Sequence, residues 1–377
     1  MNVREPYHLQ QQTPMIHFQH DEPGACLRAS EVKPKLDRFL WEQLGDKIKQ
    51  EWRIGKTEAL DYKMRFAAKG EPQIEDPHKL YFGNMGAPRA EYRKTVFYRE
   101  GIEMTVLCLH PDLSDKIHEL LPYFFALHAF GTRSGKGFGC FALVGREVNP
   151  EKLRDCCPVH TYYQIKYPNP PPSAAILNDI WVLSGMMKSG FNFTFRNPTD
   201  YYKGRIFRYF SKQDIGGDKA FIKQRVLRGQ DRNINSEERA RYGEYRFVRA
   251  MLGLPGGFEF RSGPKTTRRG LVEVKPGQLN EADQIGRFQS PVHYCVQGNL
   301  LRIIPQDIPE EMLNAPFRLN NQTIRTPAAF DLIDFLDTFC KDFNARIDIA
   351  AFRSQEIRNT LVSDRRLTIQ KIGGDTP

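Results

Sequence analysis

Nine residues of this chain, Gly131-Thr-Arg-Ser-Gly-Lys-Gly-Phe-Gly139, hold four glycines and two cations. They follow an apolar, helix-like run from Leu120 to Phe130 and lead into a strand-like one, Phe138-Gly-Cys-Phe-Ala-Leu-Val144. A chain passing from helix to strand through so many glycines must turn tightly there, because glycine takes φ > 0 without a Cβ penalty. Successive exposed N–H groups in such a loop make a concavity suited to an anion, and Arg133 and Lys136 add fixed positive charge. A Walker A loop is excluded: only three residues separate Gly131 from Gly135, and Gly137 stands where a hydroxyl would hold magnesium. A dinucleotide fingerprint is excluded too, since the glycines are spaced G-x-G-x-G and a strand follows instead of a helix. Two readings remain, a glycine-rich connection between elements and a flexible basic loop that grips a nucleic-acid backbone.

The charge balance favours the second. The 377 residues carry a formal net charge of +10 and a pI near 9.2, which suits a polyanionic partner. That length is enough for two or three domains with real cores. Seven cysteines, an odd number without C-x-x-C pairs, and the lack of any apolar run near the ~18 residues of a membrane span point to a reducing cytoplasm. Cys140, Cys156, Cys157 and His160 lie close together, but their spacing fits no common zinc pattern, so no metal and no cofactor are expected.

Along the chain, Tyr7 to Phe18 alternates apolar and polar residues as a first strand. Leu27 to Leu44 reads as an amphipathic helix, with Ser30 as its cap, Pro34 in its first turn, and Lys33, Lys35 and Arg38 near its start. Residues 53–93 read as a charged insertion. Thr95–Tyr98 and Ile102–Leu109 read as a hairpin around Arg99-Glu-Gly101, and a helix opens at Pro111. Strand, helix, hairpin, helix, glycine loop and strand make the βαββαβ ferredoxin-like plan that RNA-recognition modules also use. On either side of the proline-rich connector Tyr167–Pro172 the pattern recurs. A strand at Thr161–Tyr167 is followed by a helix at Ala174–Met187, a hairpin around Gly298-Asn299 and an amphipathic helix at Ala328–Phe343. The expected fold is therefore α+β, two tandem ferredoxin-like modules with large insertions. Residues 1–158 form the first, with the loop at 131–139, and residues 159–377 the second, with a basic insertion at 196–270 and a loose polar tail from Arg353.

Between Arg196 and Arg249 fourteen Lys or Arg stand against seven Asp or Glu. Arg205, Arg208, Arg225 and Arg228 are interleaved there with Tyr201, Tyr202, Phe207, Tyr209, Phe210 and Phe221. Arginines neutralise phosphates and aromatic faces stack on unpaired bases, so nucleic-acid contact is expected. The alternative is a solvated basic face whose aromatics turn into the core.

These residues resemble the RAMP superfamily of type III CRISPR effectors, most closely the first-numbered Cmr subunit of type III-B complexes. Thr13-Pro14, then Leu27-Arg28, then Val32-Lys-Pro-Lys-Leu-Asp-Arg-Phe39 are similar to that subunit's opening, with Pro34 in place of the family's glycine. Phe130–Gly139 resembles its glycine-rich signature, and Leu252-Gly-Leu-Pro255 and Arg287-Phe-Gln-Ser-Pro-Val292 resemble later segments. The resemblance implies a non-catalytic subunit in antiviral defence that holds CRISPR guide RNA (crRNA) and target RNA and contacts neighbouring RAMP subunits. The candidate RNA-binding residues are Lys33, Lys35, Arg38, Gly131, Arg133, Gly135, Lys136, Gly137, Gly139, Arg205, Arg208, Arg225 and Arg228. The alternative is a RAMP ribonuclease, for CRISPR RNA processing or target cleavage. His17 and His20, near Lys33, could serve as general acid and base, and Asp21 occupies the loop after the first strand.

Overall fold

The computed structural model describes residues 2–3, 6–16, 26–75, 95–192, 201–227, 241–261, 269–277, 285–347, 349 and 360–374. The first half is built on β1 (Tyr7–Gln11), α1 (Ala29–Leu44), β2 (Tyr62–Ala68), β3 (Ile102–Cys108), α2 (Pro111–Leu127) and β4 (Phe141–Leu143). Val32, Leu36, Phe39 and Leu40 recur at helical spacing and are buried, which gives α1 its inward stripe. Its cap position is Arg28, without a side-chain cap, so Ser30 falls inside the first turn instead of capping it. Pro34 falls in the second turn, where its missing N–H leaves the Ser30 carbonyl without its helical donor. On α2, Leu113, Ile117, Leu120, Leu121, Phe124 and Phe125 are buried, each contributing about 1.5–3 kcal/mol of apolar transfer. Phe39 and Phe124 join the two helices with ring centroids 5.6 Å apart.

The first sheet runs β2–β3–β1–β4, antiparallel throughout, with Asn2–Val3 beside the far end of β3. This corrects the expected hairpin. The partner of β3 is Tyr62–Ala68, paired over seven residues from Tyr62↔Cys108 to Ala68↔Ile102, whereas Thr95–Phe97 pairs with Gln73–Glu75. Tyr62, Met64, Phe66 and Ala68 alternate with Lys63 and Arg65, a strand period that the surrounding charge masks. The first strand is also shorter than expected. It ends at Gln11, and Met15 and Ile16 make isolated bridges to Val96 and Thr132.

The second half repeats the strand order. It uses β5 (Thr161–Lys166), α3 (Ser173–Met187), β6 (Val292–Gln297), β7 (Leu300–Pro305), α4 (Leu332–Asn344) and β8 (Gln370–Gly373). These strands run β6–β7–β5–β8, again antiparallel. The polar tail thus supplies an edge strand, Gln370–Gly373, on β5, and its end, expected to be loose, lies outside the described residues. One apolar core extends through both halves, from Leu9 to Ile369.

The basic insertion joins residues 316–325 in a third sheet. Its six strands are ordered Ile215–Gly217, Glu244–Arg246, Gln322–Arg325, Pro316–Leu319, Arg269–Pro276 and Gly257–Arg261, over a core that includes Phe221, Phe247 and Phe317. Of the aromatics expected to stack on bases, Tyr202, Phe207, Phe210 and Phe221 are buried core residues, while the Tyr201 side chain lies outside the described residues. Tyr209 packs edge-on against Phe210, Phe330 and Phe335. Their apolar area outweighs any use on the surface. Among the described residues no helix is long and apolar enough to cross a membrane.

Candidate nucleic-acid interface

The glycine loop is fastened to the end of the first strand. The Thr132 N–H donates to the Ile16 carbonyl and the Gly139 N–H to that of Pro14, both at 2.9 Å. The Thr13 hydroxyl donates to the Gly137 carbonyl at 2.6 Å and accepts from the Cys140 N–H at 3.0 Å. On the other flank the Gly131 N–H donates to Glu31 Oε1 of α1 at 2.7 Å. Gly131, Gly137 and Gly139 have φ of +81°, +79° and +69°, and Arg133 is itself left-handed at +61°. A Cβ at Gly139 would fall on the Phe130 carbonyl oxygen, and one at Gly137 on the Ile180 side chain. These glycines therefore serve close packing. The N–H groups of Gly131, Thr132, Lys136, Gly137 and Gly139 all donate inside the protein.

That charge is concentrated. Lys136 lies over the Tyr294 ring at 5.6 Å, and burial, then Arg133, brings its pKa down to about 8. Lys188, just past α3, donates to the Gly253 carbonyl at 2.5 Å. Burial, then Lys136 and Arg249, lowers it to about 7 against the opposing pull of Asp218. Arg249 pairs through Nε with the fully buried Asp218 at 2.5 Å and lies 3.7 Å from the Phe258 centroid. Its Nη2 is buried without a partner. His293 falls to about 4, through burial and then the charges of Lys136 and Lys35. His128 falls to about 4 as well, chiefly through burial. At neutral pH both imidazoles are uncharged and Lys188 is only partly protonated, which leaves the arginines and the other lysines as the main source of the local potential.

The residues expected from sequence divide into three groups. Gly131, Arg133, Gly135, Lys136, Gly137 and Gly139 come together with Lys35, which donates to the Ala129 carbonyl at 3.1 Å and lies 3.5 Å from Glu31. Gly135 is buried, and a Cβ there would lie 2.8 Å from Gln289. A second group stands apart or is held internally. Lys33 is occupied by Asp37 at 2.7 Å and the Leu60 carbonyl at 2.8 Å, and Arg38 is exposed on α1. Arg205 is buried against Asp342, Tyr202 and the Ile347 carbonyl, which makes it a structural arginine, with half-buried Arg208 on the same short helix. Arg225 is exposed over Phe221 and Tyr245 in the third sheet's layer. The last group, Arg228 with His17, His20 and Asp21, lies outside the described residues. Sequence reasoning missed Lys188 and His293 and took Arg249 only as part of a basic run. No local motif marks them, because tertiary packing alone brings them to the loop.

The thiol of Cys140 accepts from the Val296 N–H at 3.3 Å, which ties the loop's end to β6. All seven cysteines are free and buried. Among the described residues no group of three or more His, Cys, Asp or Glu is placed to hold a metal.

The Cmr1 N-terminal domain family model matches residues 3–191, and the Cmr1 C-terminal domain model matches residues 201–362. The chain belongs to the Cmr1 family. The resemblance read from the glycine loop and the Thr13–Phe39 opening is thus borne out at the level of the Cmr1 subunit of the RAMP superfamily. Among solved structures, a chain of the "Cryo-EM structure of the Type III-B Cmr-beta bound to cognate target RNA" matches with a TM-score of 0.25 at 17% identity, over 38% of this chain and 58% of that one. No curated protein sequence matches this Cmr1-family chain.

Proposed function

We infer that this chain is a non-catalytic, RNA-binding subunit of a type III CRISPR effector, working in the cytoplasm. It holds guide and target RNA against the glycine loop and contacts neighbouring RAMP subunits. The observation that carries the reading is the convergence of Arg133, Lys136, Lys188 and Arg249 beside a loop pinned by Thr13, with Asp218 the acidic partner in the cluster. Such an excess of partly desolvated cations is unfavourable by itself and is relieved by a polyanion. Membership of the Cmr1 family supports the same reading. The repeated strand order supports two tandem ferredoxin-like modules, residues 1–158 and 159–377, with the interface at their junction. Sequence would be read by guide–target pairing, while the protein grips backbone and shape.

The test is RNA affinity of the full chain as a function of salt. The parent should lose affinity steeply as salt rises, and Arg133→Ala/Lys136→Ala should bind more weakly with a slope shallower by roughly 0.7 per lost single-strand contact. Equal binding by parent and double variant at low salt would overturn the reading. Cleavage of either RNA by the purified parent would overturn the non-catalytic part.

A further inference from the structure

Among the described residues Trp181 is the one aromatic side chain in the exposed class, with 53% of its surface accessible. A single exposed apolar side chain needs no explanation in itself, so what matters is where this indole sits. It lies on α3. Leu177, Trp181, Ser184 and Lys188 follow at helical spacings of four, three and four and form one stripe. The stripe runs along the glycine loop. Leu177 packs with Ile16 and Phe138 and would contact a Cβ on Gly137, and Ile180, next to Trp181, closes over Gly137. The Ser184 hydroxyl donates to Tyr294, whose ring lies under Lys136, and Lys188 is a member of the cationic cluster. Phe191 braces the indole, with centroids 5.1 Å apart at 54°. Phe191 is itself fixed against Gly185, where any Cβ would collide with its ring.

We propose that Trp181 is a stacking platform for an unpaired base of the RNA strand whose phosphates rest on Arg133, Lys136 and Lys188. This rests on the RNA-binding reading above and adds the contact that reads the strand as single. Charge complementarity selects the occupant. A tryptophan flanking a cluster of cations suits a ligand with a π face and an adjacent phosphate, and every base offers that face, so the contact is indifferent to sequence. Phe191 restrains the ring before RNA arrives, which reduces the ordering cost on binding.

The experiment measures affinity of the full chain for a short oligouridine and for an abasic strand of equal length, with Trp181→Ala, Trp181→Phe and Trp181→Leu beside the parent. Trp181→Ala should weaken oligouridine binding roughly tenfold and leave the abasic strand unaffected. Phe should restore most of the loss and Leu should not. Equal loss on both strands would mean that Trp181 only holds the loop, and the proposal would fall. An unchanged Trp181→Ala affinity, while Arg133→Ala/Lys136→Ala still weakens binding, would overturn stacking but leave the RNA-binding reading intact; the indole would then belong to a protein contact. No binding of either strand by the parent would overturn both.

Discussion

The Thr13 hydroxyl donates a 2.6 Å hydrogen bond to the Gly137 carbonyl, 124 positions along the chain. The same oxygen accepts from the Cys140 N–H, so one buried side chain satisfies a carbonyl and an N–H where the chain leaves the glycine turn. Thr13→Val keeps the shape but leaves the buried Cys140 N–H unpaired and the Gly137 carbonyl with only the Cys140 thiol at 3.5 Å, and should destabilise the protein by about 1–3 kcal/mol. Thr13→Ser, which retains the hydroxyl, should cost far less. Urea midpoints of the two variants check this, and similar midpoints would sink it.

Two left-handed glycines make a matched comparison. Gly139 (φ +69°) has no room for a Cβ beside the Phe130 carbonyl, whereas Gly145 (φ +71°) has nothing within 4 Å. Gly145→Ala should cost only the backbone penalty, about 1–2 kcal/mol. Gly139→Ala adds a clash with backbone that cannot rotate away, so it should abolish folding or lower Tm much further. Equal thermal shifts would refute the packing role assigned to the loop glycines.

The lysine cluster predicts an unusual pH response. Lys136 and Lys188 titrate near 8 and 7 in the folded protein, below the ~10.4 of an unfolded chain. Between about pH 7 and about 10.4 the unfolded chain therefore holds more protons, and their contribution to stability grows as pH rises. A bound polyanion favours the charged forms, so RNA should raise Tm most below about pH 7 and progressively less toward pH 9 or so. Lys136→Met should raise the Tm of the free protein near neutrality while weakening RNA binding. A lower Tm with intact binding would contradict the assignment.

Arg205 and Arg225 test the distinction between structural and exposed arginines. Arg205 is buried with Asp342, so Arg205→Ala leaves an uncompensated carboxylate and should destabilise by about 3–5 kcal/mol. Arg225→Ala removes an exposed cation from above two rings and should leave the unfolding free energy within about 1 kcal/mol of the parent. Comparable losses in thermal melts would show that the insertion's arginines are not divided in this way.

Much of the frame was legible because local period and turn chemistry agreed with the final packing. The stripe of Val32, Leu36 and Phe39 specified α1, and Gly298-Asn299 marked the β6–β7 hairpin, whose strands close at Gln297↔Leu300. The β2–β3 pairing was not legible, because the charged residues in and around Tyr62–Ala68 hid its alternation and Thr95–Phe97 offered a nearer partner. The fate of the insertion's aromatics was likewise hidden, since a tyrosine beside an arginine reads the same whether its ring faces solvent or Phe335. For the candidate site, the loop and its two cations were visible. Lys188, His293 and Trp181 were not, since each joins the loop only through the placement of α3 and β6.

The pairing of β8 with β5 has a consequence for synthesis. Thr161–Lys166 leaves the ribosome long before Gln370–Gly373, yet its edge is closed only by that last strand. Throughout translation of the intervening two hundred or so residues, the chain carries a strand with an open row of N–H and C=O groups. Tyr162, Tyr163 and Ile165 make this edge apolar as well as unpaired. A nascent chain stalled in the insertion would therefore present a sticky ribbon, open to pairing with other chains until the last strand is made.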